Sequence, residues 1–263
     1  MKRFICIIIL IFFLFFVYGK YINTKGLEVK EYEITSNKLT DGFDGIKIVQ
    51  FSDILYYEKS DIKEIKNLVK SINNENANII VFTGDLVLDN TDITSVIDEL
   101  NNIKADYKYA ILGDKDNDNI KSNLENIGFK VLDKNYDYIF NKDINPIKIM
   151  DLNNFDENIL TNEEEITPSF TIGLLHKPDE FEKLKNYDID VIFAGHSLGG
   201  QLRLPFWGAT LKKDGASIYT NDYYNENNTR LYVSFGIGTN SPHIRTFNKP
   251  SINVYRLKKI KKT

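Results

Sequence analysis

Five apolar runs in this 263-residue chain each stop on a side chain able to bind a metal. IKIVQF ends at Ser52-Asp53, NIIVF at Thr83-Gly84-Asp85, and the run from Tyr107 to Leu112 at Gly113-Asp114, while TIGLL ends at His176 and VIFA at Gly195-His196. The chain has three histidines, and two of them stand at such ends. Taken singly, a Gly-Asp pair is usually a turn, because Asp tolerates turn geometry and bonds its own backbone. Taken together they read differently. Parallel strands of an α/β sheet deliver their C-terminal ends to one crevice. Carboxylates and imidazoles gathered there are destabilised by repulsion and desolvation unless a cation joins them. A carboxylate and imidazole mixture without thiolate suits Mn, Fe or Zn better than Ca. Such an ion acidifies water and draws charge from a phosphoryl oxygen, so hydrolysis is the expected chemistry.

The elements that must position these residues follow from periodicity. Leu27–Ile34 alternates and predicts a strand; 46–51 predicts a second, better buried one. Apolar residues at helical spacing predict a helix over 61–72, and further helices are expected over 93–100 and 120–127. Strands are expected over 78–82 and 107–112, so the first half alternates strand and helix as an α/β sheet does. After Gly128 the short runs 129–132, 138–140 and 147–151 have no helix between them, which predicts that a second sheet begins there. The acidic segment 156–165 reads as a solvated connection or short helix, and 219–228 as an exposed hairpin or loop. Strands are expected over 171–175 and 191–194, with a short helix over 181–185 between them, and in the apolar runs after Leu202. Residues 26–263 carry no internal linker and are expected to form one domain.

Composition narrows the class. A formal charge of −4, from 33 basic and 37 acidic residues, gives no footprint for polyanions, so nucleic acid is not an expected partner. Cys6 is the sole cysteine, which excludes a disulfide or a cysteine zinc cluster within one chain. The N-terminus reads Met1-Lys2-Arg3, then the apolar run FICIIILIFFLFFVY, Phe4 to Tyr18. Its length matches a signal h-region and falls short of the roughly 20 residues that span a bilayer. No A-x-A-like cleavage site follows it, so residues 1–25 are expected to be an uncleaved signal anchor. Lys2 and Arg3 then stay inside, and the expectation is a single-pass membrane protein whose soluble domain is extracytoplasmic.

The strand-end segments together resemble the calcineurin-like metallophosphoesterases, whose pattern runs D-x-H, G-D, G-N-H-[DE], a lone H, and G-H-x-H. Here the segments are Ser52-Asp53-Ile54-Leu55, Thr83-Gly84-Asp85, Gly113-Asp114-Lys115-Asp116, Leu175-His176-Lys177-Pro178 and Gly195-His196-Ser197-Leu198-Gly199-Gly200-Gln201. The chain is similar to the bacterial membrane-anchored branch through Gln201-Leu202-Arg203-Leu204-Pro205 and through Gly236-Ile237-Gly238-Thr239 with Arg245. The resemblance implies an α/β fold, a four-layer α/β/β/α sandwich behind the anchor. It also implies metal ligands at Asp53, Asp85, Asp114, His176 and His196, a catalytic loop at Lys115 and Asp116, and substrate contacts at Arg203 and Arg245. A phosphodiester or phospholipid-like ester at the membrane is the implied ligand.

The departures are segregated. Leu55 and Leu198 stand where the family has two histidines of one metal site, whereas Asp85, Asp114, His176 and His196 keep donors at the other. One divalent ion (Mn, Fe or Zn) is therefore expected rather than two. Lys115 replaces the histidine that in the family meets the phosphate, and its ammonium is a candidate to offset the charge of Asp53 and Asp85. The expected function is an impaired phosphoester hydrolase, with a pseudoenzyme serving as a membrane binding module as the alternative. Gly195-His196-Ser197-Leu198-Gly199 also satisfies G-x-S-x-G, with Asp214 or Asp222 and His243 in triad order. That serine-hydrolase reading is remote, since a nucleophile elbow opens a helix and here an alternating stretch runs into Pro205.

Overall fold

In the computed structural model, which describes residues 2–57, 62–89, 92–142, 144–155 and 166–260, the apolar run forms helix α1 (Lys2–Val17). A π-helical turn, Tyr18–Ile22, continues it. The apolar stretch Arg3–Ile22 thus reaches 20 residues, long and apolar enough to cross a membrane, which makes good the shortfall of the run read from sequence. The expected acidic connection, 156–165, lies outside the described residues.

Strand β1 (Glu28–Ser36) is followed by β2 (Lys47–Phe51), α2 (Ile62–Asn74), β3 (Ile79–Phe82), α3 (Thr94–Leu100), β4 (Tyr107–Ala110), α4 (Asp118–Asn126) and β5 (Lys130–Val131). The second half supplies β6 (Tyr136–Ile139), β7 (Ile147–Asp151), β8 (Phe170–Leu175), a short α5 (Phe181–Leu184) and β9 (Val191–Ala194). It continues with β10 (Arg203–Leu204), β11 (Gly208–Ala209), β12 (Tyr223–Glu226), β13 (Thr229–Val233) and β14 (Ser251–Lys259). Two six-stranded sheets result, in the orders β1-β14-β2-β3-β4-β5 and β12-β13-β9-β8-β7-β6. This is the expected α/β architecture of two sheets with helices.

Burial patterns build the layers. In α2, Ile65, Leu68, Val69 and Ile72 share one helical face and pack with α3, α4 and the outer side of the first sheet. The Asn117 side chain caps α4 by accepting from the amide of Ile120. Between the sheets, Ile48, Val81 and Leu257 meet Ile172, Phe193 and Tyr232 in a second core. Phe181 and Leu184 of α5 cover the far face of the second sheet together with Tyr219.

One expectation is corrected, and two placements come from long-range pairing. Strand β5 belongs to the first sheet, pairing parallel with β4 through the α4 crossover, so the second sheet starts only at β6. Residues 219–228 run into the expected hairpin, with β12 paired antiparallel to β13 at the edge of the second sheet, although Tyr219 at the start is buried. The C-terminal strand β14 returns to the first sheet, parallel to β1 and antiparallel to β2.

Candidate metal centre

β2, β3 and β9 end side by side, and their last residues turn sharply. Asp53, Asp85 and His196 take positive φ values of 49°, 61° and 63°, a region unfavourable for side chains with a Cβ. Such strain persists only where neighbours fix it, and it gathers at functional sites. Here the neighbours are explicit. The Asp53 amide donates to the Gly84 carbonyl (2.9 Å), and the His196 amide donates to Asp53 Oδ2 (2.8 Å). The strand ends approach so closely that a Cβ on Gly84 would lie 2.5 Å from the Gly113 nitrogen.

One donor atom from each of Asp53, Asp85, His176 and His196 lies within 4.8 Å of the others, and all four residues are buried. His176 Nδ1 sits 2.8 Å from the Thr83 carbonyl, which makes it the N–H donor. Its Nε2 then faces Asp85 Oδ2 at 3.5 Å and His196 Nδ1 at 3.0 Å. His196 Nε2 is likewise tied to a carbonyl, that of Asp214 at 2.8 Å, leaving Nδ1 for the cluster. Backbone carbonyls behind both rings are the orienting partners that metal-ligating histidines ordinarily have. Asp53 Oδ1 and Asp85 Oδ2 are buried without any hydrogen-bond partner. Orphaned carboxylate oxygens beside two oriented imidazoles fit a divalent cation.

The electrostatics agree. Burial works to raise the Asp85 carboxyl, but the 3.5 Å contact with His176 and its charge, the Lys115 amide and Lys213 hold it down at about 2. Burial would lower His176, yet the close Asp85 carboxylate and the charges of Asp53 and Asp85 push it up to about 9. Asp53 is raised, first by burial and then by Asp85. His196 is lowered by burial, by the Lys213 ammonium and by His176.

The remaining sequence candidates separate. Asp114 stands at the rim: its carboxylate pairs with Lys177 (2.8 Å) and lies 3.9 Å from His196 Nδ1, outside the group of four. Lys115 donates its backbone amide to Asp85 Oδ1 (3.0 Å), whereas its ammonium bonds the Leu88 carbonyl (3.1 Å). The charge expected of Lys115 comes instead from Lys213, whose Nζ is 3.2 Å from His196 Nδ1. Asp116 clamps the loop, accepting from the amides of Asp85, Leu86 and Gly113 at 2.8 Å each. Arg245 is fully buried and donates to the carbonyls of Phe235, Gly236 and Gly238, a loop that itself covers Asp53. Arg203 holds the Gly199 and Thr220 carbonyls and the Asn221 side chain. Both guanidinium groups are thus engaged in shaping loops.

Leu55 and Leu198 are buried, and a Cβ on Gly236 would lie 2.8 Å from Leu198 Cδ2 and 2.9 Å from Asp53 Cβ. Leu198 thus packs at Gly236 beside Asp53, while Leu55 packs at Gly238. The Ser197 hydroxyl accepts from the Gly199 amide and reaches the Ser234 carbonyl, while His243 bonds Thr239 and stacks on Tyr57. These partners leave no triad hydrogen bond between Ser197 and His243.

A cleft of about 200 Å³ opens at His176 and Asp114, lined also by Lys134, Asn153 and Lys177. A larger cavity of about 830 Å³, beside Lys30 and Asp222, contains none of the four clustered residues. Of the four clustered residues His176 lines the smaller one, together with Asp114 at the rim, so the site is entered from there. Lys213 escaped sequence reading because it sits on a loop with no periodicity, carried there by the β10–β11 hairpin.

Residues 46–200 match the family described as calcineurin-like phosphoesterase. The chain is 33% identical over 258 residues to an uncharacterized metallophosphoesterase, YkuE, of Bacillus subtilis (strain 168), covering 92% of this chain and 89% of the relative. It is 26% identical over 256 residues to an uncharacterized metallophosphoesterase of Aquifex aeolicus (strain VF5), covering 90% and 94%. Among solved structures it is similar to TT1561 of Thermus thermophilus, with a TM-score of 0.47 and 10% identity over 73% of this chain and 90% of that one.

Proposed function

Because the chain belongs to the calcineurin-like phosphoesterase family, we propose that it is a membrane-anchored phosphoester hydrolase of reduced activity, working with one divalent ion instead of two. The observation that carries this reading is the pair of orphaned, buried oxygens, Asp53 Oδ1 and Asp85 Oδ2, facing two oriented imidazoles. Asp53, Asp85, His176 and His196 hold the ion in this proposal. When bound, a divalent ion supplies Lewis acidity toward water and toward a phosphoryl oxygen.

The chain's own residues do the rest. Thr83 and Asp214 carbonyls fix the imidazole rings, so that Nε2 of His176 and Nδ1 of His196 face inward. Lys134 and Lys177 line the entrance beside Asp114, Asp133, Asp151 and Glu180, so its charge is mixed and the two ammonium groups are the cations there that an anionic phosphoester can meet. The Asp116 carboxylate fixes the turn that presents Asp85. In-line phosphoryl displacement benefits from two ions, and Leu55 and Leu198 remove two nitrogen donors of one. Losing one ion costs several kcal/mol of transition-state stabilisation, on the order of a thousandfold in rate. The same two leucines favour the second reading, a binding module that no longer turns over.

In the proposal, α1 anchors the chain with Lys2 and Arg3 on the inner side and residues 26–263 outside, which brings the site near phospholipid or cell-envelope phosphates. The discriminating experiment is Mn-supplemented hydrolysis of bis-p-nitrophenyl phosphate by the unaltered chain and by the Leu55→His, Lys115→His, Leu198→His variant. Weak turnover that rises by about a thousandfold in the variant supports the impaired hydrolase. Turnover in the variant alone supports the binding module. Equal rates in both would contradict the impairment.

A further inference from the structure

The hairpin that follows the site ends in two aromatic residues that nothing covers. Phe206 and Trp207, between β10 and β11, have relative exposures of 104% and 83%. Large apolar side chains presented this fully and side by side mark an interaction surface. The hairpin beneath them is firmly built. The Thr210 amide donates to the Leu202 carbonyl (2.8 Å), and Arg203 ties β10 to Gly199, Thr220 and Asn221.

Its base is attached to the segment that seats the N-terminal helix. Leu202 bridges Thr246, and the Arg203 amide donates to the Thr246 carbonyl (3.1 Å). One residue earlier, the Arg245 amide donates to the carbonyl of Gly19, in the turn that ends the apolar stretch (3.1 Å). One residue later, the Phe247 ring lies 6.2 Å from Phe15 and 6.0 Å from Tyr18. A Cβ on Gly19 would lie 2.5 Å from Ile244 Cγ2, so this seat is a close approach of backbone to the domain. Three consecutive residues, Arg245, Thr246 and Phe247, therefore hold both the outgoing end of the helix and the foot of the hairpin. In sequence, Lys20 follows Gly19, Lys249 follows Phe247 by two residues and Lys212 follows the half-exposed Leu211.

We propose that the Phe206-Trp207 tip is a second membrane contact, inserted at the head-group level of the phospholipid bilayer beside helix α1. The proposal rests on the reading of α1 as an anchor, since it is the shared seat that brings the tip to the same bilayer. Trp and Phe suit this level because their apolar rings enter the acyl boundary while the indole N–H stays hydrated. Lys20, next to Gly19, and Lys212, just after the hairpin, supply ammonium groups for anionic head groups. Two attachments fix the domain's tilt, and β11 leads within a few residues to Lys213 at His196, so the height of the site above the lipid is set by the same hairpin.

Trp207 is the chain's single tryptophan, so its fluorescence reports on the tip alone. The full chain is reconstituted in phosphatidylcholine–phosphatidylglycerol vesicles, floated on a density gradient, and its emission quenched with iodide in the water or with phosphatidylcholine spin-labelled near the head group. The expected result is flotation, with emission quenched several-fold by the labelled lipid and little by iodide. Phe206→Asp should still float but lose most of the lipid quenching. Flotation with strong iodide quenching and no lipid quenching would overturn the hairpin contact and leave the anchor standing. Emission shielded from both quenchers would mean that protein, a second copy or a partner, covers the tip, which also overturns it. Failure to float would remove the anchor reading and this proposal with it.

Discussion

The ammonium of Lys213 lies 3.2 Å from His196 Nδ1, the nitrogen that the Asp214 carbonyl leaves free for coordination. A cation carried by the chain therefore holds the lone pair that a divalent ion needs. The two compete for one atom. The negative charge of Asp53 and Asp85 is met by a residue remote from the motifs, Lys213, and not by Lys115, whose ammonium is on the Leu88 carbonyl.

Removing this competitor should tighten metal binding. Lys213→Met is expected to raise Mn affinity by about tenfold, the effect of removing roughly 1.4 kcal/mol of competition. Lys115→Ala should change it by less than about twofold, on the order of 0.4 kcal/mol. Titration calorimetry of the two variants checks both, and a weaker affinity in Lys213→Met would refute the competition.

Protons should compete as well. His176 is held up at about 9 by Asp85 and Asp53, so below that pH it must release a proton before it can ligate. One proton released per ion means that apparent metal affinity rises about tenfold per pH unit from neutrality to about 9, then levels. A pH-independent affinity would contradict this.

In metal-free protein the same linkage has the opposite sign. A histidine whose folded value, about 9, exceeds its unfolded 6.5 contributes stability that is complete below pH 6.5 and is lost as pH rises through 9. Asp85, held at about 2, contributes stability above 3.8 that is lost as pH falls through 2. Thermal melting in EDTA should therefore decline from pH 6.5 to 9, and His176→Gln should flatten that decline.

Arg245 should matter for folding. Its buried guanidinium ties the Phe235, Gly236 and Gly238 carbonyls over Asp53, and burial lowers its pKa to about 10. Arg245→Met leaves those carbonyls unpaired, at a cost of about 3 kcal/mol. A melting temperature lowered by roughly 10 °C is expected, and one changed by less than about 2 °C would contradict the clamp.

The ends of the strands were legible because each apolar run breaks on a polar turn, a signal contained in a few neighbouring residues such as Gly84-Asp85 and Gly195-His196. What depends on pairing far along the chain was not. Nothing local in Ser251–Lys259 says that β14 slips between β1 and β2, and the missing helix after Gly128 hid that β5 closes the first sheet. An arginine looks the same in sequence whether it meets a phosphate or backbone carbonyls, which is why Arg203 and Arg245 read as substrate contacts. Asp114 shared the Gly-Asp signature of Asp85, but Lys177 draws its carboxylate to the rim.

The most direct test is metal content per chain, measured by inductively coupled plasma mass spectrometry after loading the full protein with Mn and removing loosely held ions. The account predicts about one equivalent, reduced to near zero in both Asp85→Ala and His176→Ala. Two equivalents, or one that survives His176→Ala, would contradict a single ion held by Asp53, Asp85, His176 and His196.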